Sequence, residues 1–231
     1  SSYDACLWIY PSEKDFAIIW VYIDDSNMAH RGEFRERVWA DVEKDLKFKE
    51  TEFYGNKDKA LLDEDVACHP ENPYGTSKLM SEQILQDASR AHELSYVALR
   101  YFNVAGADPA GRAGQLSKPA THLMKVAVEV ATGQREAMQV FGADYPTDDG
   151  TCIRDYIHIT DLIAAHMAAL EHLLGGGTPL TLNCGYGRGS SVHQVLDSVA
   201  RLSGNNLNLE MVARRAGDTA VLVADSTRLR H

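Results

Sequence analysis

The chain has 231 residues, 45% hydrophobic and 24% charged, which suits one large domain or two small ones with a real core and is too apolar for a disordered chain. A formal net charge of −10 leaves no basic surface for sequence-independent nucleic-acid binding, so any anionic ligand must be met by a few local arginines. Cys6, Cys68, Cys152 and Cys184 are widely spaced with no CxxC pair, which points to a reducing cytoplasm, and the longest early apolar run, FAIIWVYI (16–23), is too short to span a bilayer.

That apolar run reads as a buried strand. GEFRERVWADVEKDLKF (32–48) reads as a charged helix, with Phe34, Val38, Trp39, Val42 and Leu46 at helical spacing. In ENPYGTSKLMSE (71–82), Pro73 can begin a helix without losing a useful amide donor, and Leu79, Met80, Ile84, Leu85, Ala88 and Ala91 continue the period to about His92. SYVALRYFNVAG (95–106) reads as one strand ending in a glycine turn, followed by a helix from about Thr121 to Thr132 and a Gly/Asp/Pro-rich loop at 142–151. IRDYIHI, a helix over Asp161–Leu174, the breaker GGG at 175–177 and the strand-like PLTLNCG complete an alternation that predicts an α/β fold with a largely parallel sheet.

Tyr74 and Lys78 stand four apart on the first of the well-marked helices, so they share one face. An ammonium about 5 Å from a phenolate, at an effective dielectric of about 20, contributes roughly 3 kcal/mol and lowers the tyrosine pKa by about two units. Such a tyrosine is a usable base near neutral pH. Tyrosine and lysine also fall four apart on many surface helices by chance, so the spacing alone does not make the pair catalytic.

NPYGTSK, LRYFNVAGADP, VFGADYPTDDGTCIRDYIHITDL, TLNCGYGRGSSV and ARRAGD occur in an order and spacing that resembles UDP-glucose 4-epimerases, members of the extended short-chain dehydrogenase/reductase family. The resemblance runs from about Thr51 to the C-terminus. It implies a partial Rossmann-like parallel sheet with a smaller α/β substrate-binding domain. In this division 51–106 and about 151–185 are the remnant of the dinucleotide-binding domain, and about 107–150 and 186–231 the substrate-binding part. It implies NAD as cofactor, UDP-glucose and UDP-galactose as substrates, a 4-keto intermediate and a cytoplasmic isomerase of galactose metabolism. A homodimer is allowed; nucleic acid and membrane are not expected partners.

Residue by residue, the resemblance makes Tyr74 the acid/base and gives Lys78 the task of lowering its pKa and holding the nicotinamide ribose. Tyr101 and Phe102 fall on the cofactor side, although both could equally be strand core. Arg154 and Arg215 fall at the substrate diphosphate, Asp218 toward the uridine ribose, and Asn103, Leu123 and Phe141 on the sugar and uracil pocket. Forked guanidinium donors suit phosphate oxygens. The plain alternative for the arginines is a structural ion pair, Arg154 with Asp155 or Arg215 with Asp218. Leu222 lies near the family's sugar-size position. GYGRGSS imitates a dinucleotide fingerprint, but the resemblance puts it in the substrate half as a strand-to-helix turn. No metal is expected, since His158, His166 and His172 have no ligand spacing.

Two departures qualify the resemblance. The family opens with a strand, a GxxGxxG turn and a helix that holds the NAD pyrophosphate, whereas residues 1–70 contain only Gly32 and Gly55. Residues 1–50 are unmatched, and the C-terminus is expected to stop short of the family's last helices, so the cofactor half is expected to be compromised. In FKETEFYG (48–55), where the family has a Ser or Thr that bonds the reacting hydroxyl, counting back from Tyr54 reaches Glu50, and Thr51 fits after a one-residue deletion. The same string is similar to the sugar-nucleotide 4,6-dehydratases, with Glu52 at their active-site glutamate. The alternatives are therefore a non-catalytic remnant that binds UDP-sugar or a partner subunit, and such a dehydratase.

Overall fold

The computed structural model describes residues 4–11, 16–22, 61–70, 73–115, 120–215 and 218–231, the first two stretches as backbone path alone. The expected helix at 32–48 and the FKETEFYG string, with Thr51, lie outside the described residues. Ten strands are described: β1 (Asp4–Pro11), β2 (Phe16–Tyr22), β3 (Ser95–Tyr101), β4 (Asn103–Ala105), β5 (Met138–Phe141), β6 (Ile153–His158), β7 (Leu180–Cys184), β8 (Gly189–Ser191), β9 (Leu209–Val212) and β10 (Val221–Leu222). The helices are α1 (Pro73–Ala91), α2 (Leu123–Ala131), α3 (Ile159–Leu174) and α4 (Val192–Ser203).

The α/β alternation resolves into three sheets. The first runs β2-β1-β3-β7, with β3 and β7 parallel and β1 antiparallel to both of its neighbours. In the second, β10 and β4 pair parallel with β6, and β8 pairs antiparallel with the start of β6. The third is the parallel pair β5 and β9.

The expected single strand 95–106 is two strands. β3 ends at Tyr101; the Phe102 amide donates to the Cys184 carbonyl at 3.1 Å, and β4 then joins β6 in the second sheet. Every residue from Tyr96 to Tyr101 is buried, so the run shows no alternation that could mark the change of sheet. Phe102 turns into a small core with Leu62, Val66 and Ala224.

Two larger cores flank this junction. β3, β7 and α3 enclose Val97, Leu99, Tyr101, Leu162, Leu173 and Cys184, while α2, β5 and α4 enclose Val126, Val130, Met138, Val140 and Leu196. Residues 61–66 are stitched to the C-terminal segment: the Leu62 amide donates to Val223 (2.9 Å) and the Asp225 amide to Leu62 (2.7 Å). α4 opens on a capping box of Ser191 and Gln194 and closes at Gly204 in the left-handed conformation.

Candidate functional site

A cleft of about 590 Å³ lies between the β3–β4 junction, α2, β5, β6 and the segment leading into β10. Its lining includes Asn103, Leu123, Phe141, Arg154, Arg215 and Asp218, all six residues that the resemblance assigns to substrate, and also Leu222. Tyr101 and Phe102 reach the same cleft while remaining core residues, 3% and 5% exposed. Residues scattered from 103 to 222 meet here because β4, β5, β6 and β10 all contribute side chains to it.

The ion pairs differ from the plain alternative. Asp155 is fully buried and accepts backbone N–H bonds from Tyr186 (2.9 Å), Gly187 (2.9 Å) and Ala224 (3.2 Å). Burial pushes its carboxyl pKa up, and those three donors oppose the shift. Arg154 instead lies 3.7 Å from Asp218, while its Nη1 donates to the carbonyls of Ile153 and Thr219, each at 2.9 Å. The Arg215 guanidinium stacks on the Phe141 ring, 3.8 Å from its centroid. Arg154 and Arg215 thus stand with Arg100 and Arg135 on one cleft of an acidic chain, Arg215 braced by an aromatic face and Arg154 by two carbonyls.

His122 also lines the cleft, but burial pulls its imidazole down to about 4, so it is neutral near pH 7 and adds no charge. Burial pushes the Cys152 thiol up, which leaves it protonated and a poor nucleophile.

Tyr74 and Lys78 lie on α1 and are not among the residues lining this cleft. Pro73 starts the helix, and the i, i+4 spacing puts Lys78 Nζ 5.1 Å from the centroid of the Tyr74 ring. Lys78 is 3% exposed and Tyr74 is half-buried, so their interaction is only weakly screened by water.

A pair that the sequence reading did not single out ties α1 to β3, beside the packing of Leu85 on Tyr96 and Ala98. Glu82, one turn after Lys78 on the same buried face, takes a fork from Arg100 of β3, Nε–Oε1 2.7 Å and Nη2–Oε2 2.6 Å. Arg100 also donates to the Glu64 carbonyl (3.2 Å), and the Glu64 carboxylate accepts from the Asn183 amide of β7 (2.7 Å). The available signal was a charged residue inside an otherwise apolar strand, ALRYF, because a buried guanidinium demands a carboxylate. The DDGT part of the long motif is structural in the same way. Asp149 accepts from the Thr151 amide (2.9 Å), from its hydroxyl (2.7 Å) and from the Ser191 hydroxyl that caps α4.

The one string among the described residues that resembles a dinucleotide fingerprint, GYGRGS, joins β7 to β8, and two of its three glycines, Gly185 and Gly189, are taken up by packing. A Cβ on Gly185 would fall 2.5 Å from Asp155 Oδ2, and one on Gly189 would fall 2.2 Å from Ile153 Cγ2. Among the described residues no group of three or more His, Cys, Asp or Glu is placed to hold a metal, and no helix is long and apolar enough to cross a membrane.

A model of the NAD dependent epimerase/dehydratase family matches residues 40–185. A UDP-glucose 4-epimerase of Azospirillum brasilense is 53% identical over 177 residues, 77% of this chain and 51% of that protein. The crystal structure of a Brucella ovis UDP-glucose 4-epimerase in complex with NAD has a TM-score of 0.73 at 46% identity, covering 76% of this chain and 54% of its own. That of a Bifidobacterium longum UDP-glucose 4-epimerase, in complex with NAD+ and UDP, has a TM-score of 0.72 at 37% identity, covering 77% and 54%. The chain spans about half the length of these relatives.

Proposed function

Because the chain belongs to the NAD dependent epimerase/dehydratase family, we propose that it binds a UDP-sugar in the cleft and carries the proton-transfer pair of a UDP-glucose 4-epimerase. The observation that carries this reading is the convergence of Asn103, Leu123, Phe141, Arg154, Arg215 and Asp218 on one cleft, in a fold similar to an epimerase complexed with NAD+ and UDP. Arg154 and Arg215 meet the diphosphate, Asp218 accepts from a ribose hydroxyl, and Phe141 and Leu123 give the uracil and sugar an apolar wall. Tyr74 takes the proton of the sugar 4-hydroxyl and later returns it, with the Lys78 ammonium favouring the phenolate. NAD, when bound, supplies hydride acceptance and return. Tyr101 and Phe102 belong to the side of the site that faces it, and Thr51 to the hydrogen bond on the reacting hydroxyl.

The same reading assigns 51–106 and about 151–185 to the cofactor half and the remainder of 107–231 to the substrate half, and it leaves room for a homodimer. A cytoplasmic setting suits four widely spaced cysteines that form no CxxC pair.

The test is UDP binding by calorimetry. Charge-assisted hydrogen bonds contribute roughly 1.5–3 kcal/mol, so Arg154→Ala and Arg215→Ala are each expected to weaken UDP by about tenfold or more. Affinities equal to the parent's in both variants would remove the diphosphate from this end of the cleft.

The remnant reading is favoured by one observation, that Gly185 and Gly189 of the fingerprint-like string are spent on packing rather than on a phosphate turn. A pyrophosphate reaches backbone amides only where no side chain stands in the way. The purified chain, once denatured, is therefore expected to release far less than one dinucleotide per chain. Stoichiometric NAD, or ordinary interconversion of UDP-glucose and UDP-galactose without added NAD+, would overturn this.

A further inference from the structure

The chain leaves β9 through two consecutive arginines that do different things. Arg215 lines the cleft, with its guanidinium on the Phe141 ring. Arg214 is not among the cleft residues, and its guanidinium lies 4.2 Å from the centroid of the Tyr145 ring. Phe141 is the last residue of β5, and Tyr145 stands four residues later in the loop that follows, so both arginines close on one short stretch of chain.

Arg214 is held there by more than charge. Its Nε donates to Asp144 Oδ1 at 2.6 Å, and its Nη2 donates to the Asp144 carbonyl. With side chains 39% and 75% exposed, the ion pair alone would contribute little. Tyr145 beneath it is buried, however, and the Tyr145 amide donates to the Gly150 carbonyl at 2.9 Å, which closes the loop that carries the ring. Gly142, at φ +83°, leaves room for both partners: a Cβ there would stand 2.5 Å from Tyr145 Cε2 and 2.8 Å from Arg214 Cγ. The Gly142 amide donates to the Val212 carbonyl at 2.9 Å, so the pairing of β5 with β9 runs directly into this clamp.

We infer that Arg214 is a positioning residue: clamped to Asp144 and Tyr145, it fixes the backbone on which Arg215 stands and so aims the Arg215 guanidinium at the phosphates of a nucleoside diphosphate. The inference rests on the proposed UDP site. Where the Arg215 guanidinium points depends on where its Cα stands, and the clamp ends one residue short of that Cα. The ring on which Arg215 stacks and the ring on which Arg214 stacks belong to the same stretch, 141–145, so tying residue 214 to that stretch also keeps Arg215 in register with Phe141. An arginine ordered before the ligand arrives loses less freedom on binding, which is how a residue outside the cleft raises affinity inside it.

The experiment is UDP calorimetry on the purified chain and on four variants: Arg214→Ala, Arg215→Ala, the two combined, and Asp144→Ala. Arg214→Ala is expected to weaken UDP about three- to tenfold. Beside Arg215→Ala the same change is expected to cost less than about twofold, because the side chain it positions is gone. Asp144→Ala separates positioning from plain charge. Removing a carboxylate would by Coulomb attraction alone favour an anion, whereas a loosened clamp disfavours it, and a loss of about twofold or more is expected. This variant also leaves both arginines in place, so it serves if Arg214→Ala fails to fold. Parental affinity in Arg214→Ala, or parental or tighter binding in Asp144→Ala, would overturn this inference and leave the UDP site standing. An Arg214→Ala loss that persists undiminished beside Arg215→Ala would show that Arg214 does not act through Arg215, and would overturn it equally. If the parent itself binds no UDP, the proposed site fails, and this inference with it.

Discussion

Tyr74→Phe is expected to lower epimerisation by about 10²–10⁴-fold, the range that a positioned acid/base contributes, while leaving UDP affinity within about twofold of the parent. The substitution removes one oxygen and keeps the ring against which Lys78 packs at 5.1 Å, so helix α1 and the buried ammonium have no reason to rearrange. Because residues 1–70 contain no GxxGxxG turn, the measurement belongs in a chimera, with the residues before Leu61 replaced by the matching half of the Azospirillum brasilense relative. In that chimera the parent sequence supplies the reference rate, and interconversion of UDP-glucose and UDP-galactose reports the reaction directly. A Tyr74→Phe chimera that keeps more than a few per cent of the rate would sink the assignment. A parent chimera that binds UDP tightly but never turns over would sink the wider reading of α1 as the proton-transfer helix.

Glu82→Ala is expected to destabilise the chain by about 3–5 kcal/mol, the cost of leaving one member of a buried ion pair uncompensated. Arg100 and Glu82 are 10% and 7% exposed at their side chains, and the fork between them is bidentate, so solvent cannot replace the lost carboxylate. The pair also helps to join β3, which reaches the cleft at Tyr101, to α1, which carries Tyr74 and Lys78. Denaturant unfolding monitored by circular dichroism should show the midpoint fall for Glu82→Ala. Much of it should be recovered when Arg100→Met is added, since the uncompensated charge is then removed as well. A loss under about 1 kcal/mol would mean that the fork behaves as an exposed pair and does not hold the helix.

The well-marked helices were legible because their signals are local. Pro73 at a first turn and apolar residues three and four apart suffice to place α1, whose start at Pro73 and end at Ala91 lie within a residue or so of the pattern. The break at Phe102 was not legible. A strand buried on both faces carries no alternation, and only pairing with β7 on one side and β6 on the other shows where one sheet ends and the next begins. Likewise Arg100 could be seen as an odd charge in an apolar strand, but nothing near it in the chain names Glu82 as its acceptor.

The contrast is sharpest in the motif IRDYIH. Spacing along the chain is enough to put Tyr74 and Lys78 on one helix face, and the linear motifs group Arg154, Arg215 and Asp218, which line one cleft. Which charges meet is a different matter. Arg154 and Asp155 are neighbours in the sequence, but successive side chains of β6 point to opposite faces, so Asp155 is sealed among the amides of 186, 187 and 224 while Arg154 faces the cleft and Asp218. Helical proximity is a property of three or four residues of backbone and needs no partner. Pairing across the cleft depends on β6, β10 and the loop before β10 being packed together, and that contact exists only once the whole chain has folded.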